Sequence, residues 1–517
     1  MATGAGPGDG LVPGQPGQPG GLAGPGPHDE LVPAGMCLRP DPGSRLLAGG
    51  TVLAGGSPVR VLRLTASGAR HVAGWWSGTP VPDNPRARSL ARRLLDTGIA
   101  HPAGYATEGP RDVTVVIPVR DRQAELARCL AGLAGLAGRA TPRVIVVDDA
   151  SGDAAAIARI AGQAGARVLR RPVNGGPGAA RNTGLAAADT TLVAFLDSDC
   201  VPGPGWLDAL LPHFADPAAG AVAPRIVPDE PGRTWLARYE GASSTLDLGA
   251  RASIVRPGSR VPYVPGAALV VRKAAAGAGF AEDMRVGEDV DFVWRLAAAG
   301  WRVRYEPDAT MAHQHRVRLG TWFARRKDYG TSAAALELGH PGTVRPLYVS
   351  VWTALAWLAA ASGRPAAGAA FTGASVVLLA RRLAQVTGEE RTAWELAARL
   401  AGGGTLAAGR PLGSAVSRTW WPVALPVAVA VRRLRLPLAA LVLAPPLLDW
   451  LDRRPPLDPA RYVAARLLDD VAYSLGVWQG CVERRTIRPL LPQLGSRHLG
   501  MPRAKSAGTM MSSADRS

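Results

Sequence analysis

The sequence predicts an α/β fold built on an open sheet, with a small strand-and-helix domain before it and an apolar helical region after it. Three observations predict this. Residues about 112–330 alternate short apolar runs with stretches of helical period. The run Thr191-Leu192-Val193-Ala194-Phe195-Leu196 ends in Asp197-Ser198-Asp199, which reads as a strand delivering two carboxylates to one mouth of a sheet. Beyond residue 345 long charge-free stretches replace the alternation.

The elements follow in order. Residues 1 to about 34 are Gly/Pro-rich, the composition of a disordered tail. Residues 35–102 form a small domain. Arg45-Leu46-Leu47, Thr51-Val52-Leu53 and Arg60–Leu64 read as strands split by Gly-Gly turns, and Ala66–Arg70 as one helical turn. Arg86–Thr97 reads as a helix with Leu90, Leu94 and Leu95 on its apolar face. Strands then helices in so short a span resemble a winged-helix module of the PqqD peptide-recognition type; a plain structural extension has the same pattern.

In the central region Val113–Val119, Arg143–Asp149, Arg167–Arg170 and Thr191–Asp197 read as strands. Ala124–Ala137 reads as a helix, with Leu126, Cys129, Leu130, Leu133 and Leu136 at helical spacing. Ala154–Ala164 and Pro177–Ala187 follow, the latter with Pro at its first turn. Strictly alternating strands and helices imply parallel pairing with right-handed crossovers. In the C-terminal region, Pro346–Gly363, Pro365–Ala380, Thr419–Val431 and Leu436–Leu448 are free of charge, and Arg381, Arg382, Arg432, Arg433 and Arg435 flank them. Each stretch is shorter than the roughly 20 residues that span a bilayer. They read either as interfacial or re-entrant helices on an anionic leaflet or as core helices of a soluble bundle. The end of the chain, from about Arg497, is polar and expected to be disordered.

Composition narrows the class. The chain has 517 residues, 47% of them hydrophobic, and mean hydropathy +0.05, enough for several cores. Its net charge of +18 comes almost entirely from arginine. Such a surface suits anionic lipid or a phosphate-bearing substrate; no aromatic-interleaved basic motif points to nucleic acid. Cys37, Cys129, Cys200 and Cys481 are scattered, which indicates neither a disulfide framework nor a zinc site. No secretory signal is visible, so a cytoplasmic active site is expected.

Five segments sit where the pattern puts strand ends or loops. Val116–Asp121 ends the first strand at Pro118 and offers Asp121. Val146–Asp153 clusters acids past the second strand, able to accept from a base N–H or a ribose hydroxyl. Asn174–Gly184 carries glycines that let backbone approach a ligand and Arg181, which can neutralise phosphate. It is neither GxGxxG nor a P-loop, so a dinucleotide site is not supported. Asp197-Ser198-Asp199 supplies hard oxygen ligands suited to Mg²⁺ or Mn²⁺. Gly287–Leu296 puts Glu288 and Asp289 in the first turn of a helix, where the dipole favours the ionised carboxylate a general base needs.

Taken together and in order, these segments resemble the family 2 inverting glycosyltransferases of GT-A fold, over residues about 112–316. The resemblance implies a GT-A Rossmann-like mixed sheet and a nucleotide-sugar donor. It implies that Pro118, Asp121 and Asp149 line the nucleoside pocket and that Asn174, Arg181 and Asn182 shape its phosphate side. Asp199 would ligate the metal, with Asp197 reaching ribose or metal, and His313 would join the metal or diphosphate, with His315 as its neighbour and competitor. Asp289 would deprotonate the acceptor, with Glu288, Trp294 and Arg295 bordering the acceptor site. Arg120 stands where many members carry Tyr, and Asp121 where they carry Asn, so base stacking is expected to differ. The three-part layout, including Val52–Pro58 and Arg92–Pro102, is similar to the branch of that family acting in mycofactocin biosynthesis. That implies β-linked glucose from UDP-glucose passed to a peptide-derived acceptor. Cell-envelope glycan or glycolipid synthesis is the competing activity, and an inactive peptide-binding scaffold the competing class.

Overall fold

The computed structural model describes residues 30–135, 142–229, 232–314 and 318–495. Leu136, His315 and the predicted tails up to residue 29 and from 496 lie outside the described residues.

The central sheet has nine strands and is mixed. Val113–Val119 lies parallel between Arg143–Asp149 and Leu192–Leu196, and Arg167–Arg171 extends the parallel edge. The inner runs are nearly all apolar because helices cover both faces of the sheet, whereas the edge strand Arg167–Arg171 carries three arginines. One buried cluster joins Val115, Ile117, Leu126, Leu130 and Trp206; the other joins Val116, Phe195, Ala180, Phe280 and Phe292. Strict alternation ends after Leu196. Ala268–Arg272 runs antiparallel to Leu192–Leu196 and to Ala219–Pro228, and Arg302–His313 then runs parallel to Ala219–Pro228. The short strand Cys200–Pro202 pairs antiparallel with the end of Arg302–His313, placing Cys200 opposite His313.

The small domain comprises a three-stranded antiparallel meander of Arg45–Leu47, Val52–Gly55 and Arg60–Arg63, two helices, and a pairing of Cys37–Pro40 with Ala100–Gly104. The single helical turn expected at Ala66 is a helix from Ala66 to Trp76. Thr65 caps it by accepting from the Gly68 N–H, and Val72 and Trp75 bury its inner face. The second helix, Pro85–Thr97, starts behind the Asn84 cap and stops at Gly98 in the left-handed region. The fold also begins earlier than composition suggested. Val32, placed in the expected disordered tail, is fully buried in this core, and its carbonyl accepts from Arg88 Nε at 2.7 Å.

Charged pairs dock this domain onto the sheet. The Arg92 guanidinium makes two bonds, of 2.8 and 2.6 Å, to the fully buried Asp216 carboxylate. Asp41 accepts from Arg260 at 2.8 Å, and Arg302 reaches Asp96 at 2.9 Å.

In the C-terminal region the helices outrun the charge-free stretches. Pro365–Thr387 continues through Arg381 and Arg382, and Arg435–Arg453 starts at Arg435 and continues past Asp449. Pro365–Thr387 and Arg432–Arg453 are long and apolar enough to cross a membrane by length and composition. Two other long helices, Leu319–Gly339 and Pro459–Glu483, pack against each other. There Arg326 pairs with Glu240 and, at 3.2 Å, with Asp469, both buried.

Breaking one side of a buried ion pair costs about 3–5 kcal/mol, because the other charge is left uncompensated. Arg92→Met should therefore destabilise the protein by that order in urea unfolding, and adding Asp216→Asn should recover part of the loss. A wild-type midpoint for Arg92→Met would mean that the pair does not hold the domain in place.

Candidate active site

The carboxylates predicted at the sheet's mouth are there. Leu192–Leu196 ends and the chain turns through Asp197-Ser198-Asp199 into Cys200–Pro202. The register between Cys200 and His313 then sets His313 beside Asp199, with Nε2 3.6 Å from Oδ1. That Asp199 oxygen is buried and accepts no hydrogen bond. A buried carboxylate oxygen and an imidazole nitrogen converging on one point fit a divalent cation. The Cys200 thiol lies in the same cluster, but burial raises its pKa well above the ordinary range, so it stays protonated and is a poor partner for a hard ion.

Arg181 organises the next layer. Its buried guanidinium donates to Asp197 Oδ1 and to Glu288 Oε1, both at 2.8 Å, and lies 5.3 Å from the centre of the Phe280 ring. Burial opposes its charge, but Asp197, Glu288 and Asp289 outweigh burial and raise its pKa. The expected phosphate-neutralising arginine is thus already shared between two carboxylates. Glu288 and Asp289 open the helix Glu288–Ala298 behind Gly287, whose φ of +84° suits glycine. Asp289 is oriented by two backbone donors, Gly266 N–H to Oδ2 at 2.7 Å and Val290 N–H to Oδ1 at 2.8 Å. A Cβ on Gly266 would stand 3.0 Å from the Asp289 Cβ and 3.1 Å from the Arg181 guanidinium carbon, so a larger residue would have to push that contact apart by a few tenths of an ångström. Burial, then the adjacent Asp289 charge, push Glu288 up to about 7 against the pull of Arg181.

Of the residues expected at the nucleoside pocket, Pro118 lies one residue before the end of its strand and is half-buried. Asp121 is exposed in the left-handed region at φ 54°. It is held there by Ser151, which accepts its backbone N–H, and by the Gly152 N–H donating to its Oδ1 at 2.7 Å. Asp149 is buried, and its two oxygens accept from the Gly175 and Gly176 backbone N–H groups at 3.0 and 2.8 Å. Asn174 Oδ1 also accepts from Gly176 at 3.0 Å. Asn182 clamps the loop before the acidic helix, donating to the Phe280 carbonyl and accepting from the Phe280 N–H. Of the residues expected at the acceptor site, Trp294 is buried with its indole N–H on the Pro262 carbonyl at 2.7 Å. Arg295 is held by Asp291 and the Gly279 carbonyl.

Two contributors were missed. Arg122 donates to the second oxygen of Asp199, and only its place next to Asp121 signalled it. The helix Leu319–Gly339 brings Arg325 and Tyr329 to a recess of about 40 Å³ that His313 also lines. No local pattern pointed to them.

Similarity to known proteins identifies the family. A family model described as glycosyl transferase family 2 matches residues 114–277. The pre-mycofactocin glycosyltransferase of Mycobacterium tuberculosis is 42% identical over 473 residues, 90% of this chain and 98% of the relative. The succinoglycan biosynthesis protein ExoU of Rhizobium meliloti is 31% identical over 214 residues, 38% of this chain and 59% of that one. Among solved structures, the mannosyltransferase PcManGT from Pyrobaculum calidifontis, in complex with GDP-Man and Mn²⁺, aligns with a TM-score of 0.35 at 24% identity. The alignment covers 59% of this chain and 89% of that one.

The raised Glu288 carboxyl predicts a stability change with a definite sign. The folded state binds this proton more tightly than the unfolded state, so its contribution is full below the ordinary value of 4.5 and is lost as pH rises to about 7. In metal-free protein, wild type should lose thermal stability across that window relative to Glu288→Gln. Parallel pH profiles would show that Glu288 does not titrate there.

Proposed function

The chain belongs to the family 2 glycosyltransferases, and from that premise we propose that it transfers glucose from UDP-glucose, with inversion to a β linkage, onto the peptide-derived precursor of mycofactocin. The observation that carries the reading is the convergence of Asp289, Arg181, Asp197 and the Asp199–His313 pair at one end of the sheet. The match to the Mycobacterium tuberculosis relative supports the choice of acceptor, since it takes in the small domain and the C-terminal helices as well as the catalytic sheet. The small domain is read as the winged-helix-like module that recognises the peptide-derived part of the acceptor.

In this mechanism Asp289 accepts the proton of the acceptor hydroxyl as its oxygen attacks the anomeric carbon in line with the leaving diphosphate. The two backbone N–H groups on its carboxylate keep it aimed before substrate arrives. Arg181 holds Glu288 and Asp197 in place, so the base helix and the strand end move as one unit. Asp149 shapes the glycine turn on the phosphate side by binding two of its backbone N–H groups. Mg²⁺ or Mn²⁺ held by Asp199 and His313 would offset the charge of the diphosphate as it leaves.

A second reading, transfer to a glycan or lipid at the cytoplasmic face of an anionic membrane, is favoured by the C-terminal helices. Only 11% of the apolar window in Arg432–Arg453 is buried. The arm before it, Trp421–Ala430, has 10 residues. At about 1.5 Å per residue it reaches half of a roughly 30 Å hydrocarbon layer. Arg432, Arg433 and Arg435 lie at the turn between the arms. That arrangement suits a hairpin lying in the interface, with the arginines on lipid phosphates.

Asp289→Asn keeps the shape and removes the proton acceptor. Turnover with UDP-glucose and the precursor should fall about 10²-fold or more, with donor binding by calorimetry near wild type. Retained turnover would reassign the base. Asp199→Ala, and EDTA on the wild type, should both abolish metal-dependent donor binding; full transfer by verified metal-free protein would remove the cation from the mechanism.

A further inference from the structure

We infer that a chamber among the C-terminal helices is a binding site for an acyl chain of an anionic membrane lipid. The chamber measures about 1380 Å³, larger than the usual 300–1000 Å³ of a small-molecule pocket. It is walled by Val351–Ala361, Gly409–Ala415, Trp421–Ala430 and Arg435–Arg453, with Leu358, Leu412, Val423 and Leu441 among its lining side chains.

The polar groups of the wall are already engaged. The Trp357 indole N–H donates to the Thr405 carbonyl at 2.8 Å, and that of Trp420 to the Leu490 carbonyl at 2.7 Å. Thr353 shares a hydrogen bond with Ser350 at 2.9 Å, and Arg410 pairs with Asp452 at 2.7 Å. Water held in a cavity needs two to four polar partners, and this wall offers it almost none. The space therefore suits an apolar filler, and its volume between four helices leaves room for a chain.

The mouth selects the lipid. Leu434 and Val427 line the chamber, and Leu434 sits in the turn that carries Arg432, Arg433 and Arg435. All three arginines are exposed, and Arg435 is anchored by donating to the Ala428 and Val429 carbonyls. An anionic headgroup on these arginines would start its chain at Leu434. Leu425, Val429 and Leu436 continue the apolar surface outside the mouth and are themselves exposed, Leu436 by 82%. A second copy of this chain, with net charge +18, would bring like charges together at the same turn.

The inference deepens the membrane reading and is independent of the transfer reaction, because its test reads neither turnover nor sedimentation with vesicles. Detergent-free protein should bind cis-parinaric acid saturably, with a fluorescence rise reversed by phosphatidylglycerol and far less by phosphatidylcholine. Ala440 and Ala444 both line the chamber and are exposed within it. Ala440→Phe and Ala444→Phe add a ring there without adding polarity, and either should weaken the probe at least about tenfold at an unchanged melting temperature. Replacing Arg432, Arg433 and Arg435 with Gln should abolish the preference for phosphatidylglycerol. Probe binding that does not saturate, or that is unchanged in a filled variant of wild-type stability, would overturn the inference. So would a strong rise in binding on truncation after Gly495, which would assign the chamber to the chain's own tail. A dimer that excludes the probe would assign it to a second copy.

Discussion

One buried guanidinium ties the catalytic end of the molecule together. Arg181 sits between Asp197, at the end of a strand, and Glu288, at the start of a helix, with Asp289 adjacent. Three acids so close would repel one another in a low-dielectric setting, and removing the cation would leave buried carboxylates uncompensated. The arginine therefore decides both that the acidic helix can start here and where it starts. Gly266 lets the chain pass close to that contact, where a Cβ would crowd Asp289 and Arg181. The raised Glu288 carboxyl shows the limit of that device: burial and the adjacent Asp289 charge together outweigh the pull of Arg181.

The same device recurs at the domain boundaries. Arg92 on Asp216 docks the small domain, and Arg326 on Glu240 and Asp469 docks the last long helix. Each pair is desolvated, so each contributes orientation more than net stability. An arginine-rich chain is well suited to this, since the guanidinium presents a planar fork that fixes geometry as well as charge. Where arginines are instead left exposed, at Arg432, Arg433 and Arg435, they border uncovered apolar helices, a combination suited to a charged, partly apolar surface such as a bilayer.

Much of the catalytic sheet was legible. Val113–Val119, Arg143–Asp149 and Pro177–Ala187 fall where the pattern placed them, because strands covered on both faces read as unbroken apolar runs and Pro177 marks a helix start. Ala66–Trp76 was under-read because its Thr65 cap and small residues give a weak period, and burial of Val72 and Trp75 completes it. The C-terminal helices were cut short at Arg381 and at Asp449 because a charge-free window stops at the first charge, whereas a backbone ladder does not. The strands read as parallel are parallel, and after Leu196 the sheet becomes mixed, as the family resemblance implied: the antiparallel strand Ala268–Arg272 inserts next to Leu192–Leu196, a choice that no local period records.

The sequence by itself determined the α/β class, the strand that ends in Asp197 and Asp199, the acidic helix of Glu288 and Asp289, and the family these motifs resemble. All of these are local: a run, a spacing, a cap. The tertiary structure alone decided which groups meet. His313 reaches Asp199 through the antiparallel register of Cys200–Pro202 on the end of a distant strand. Arg122 reaches the same carboxylate, Arg181 is occupied by two acids, and Asp149 holds a glycine turn by its backbone. Such partnerships follow from sheet register and from the need of every buried charge for a counter-charge. Both act between residues far apart in the chain, which is why periodicity could place each residue on an element but could not pair it.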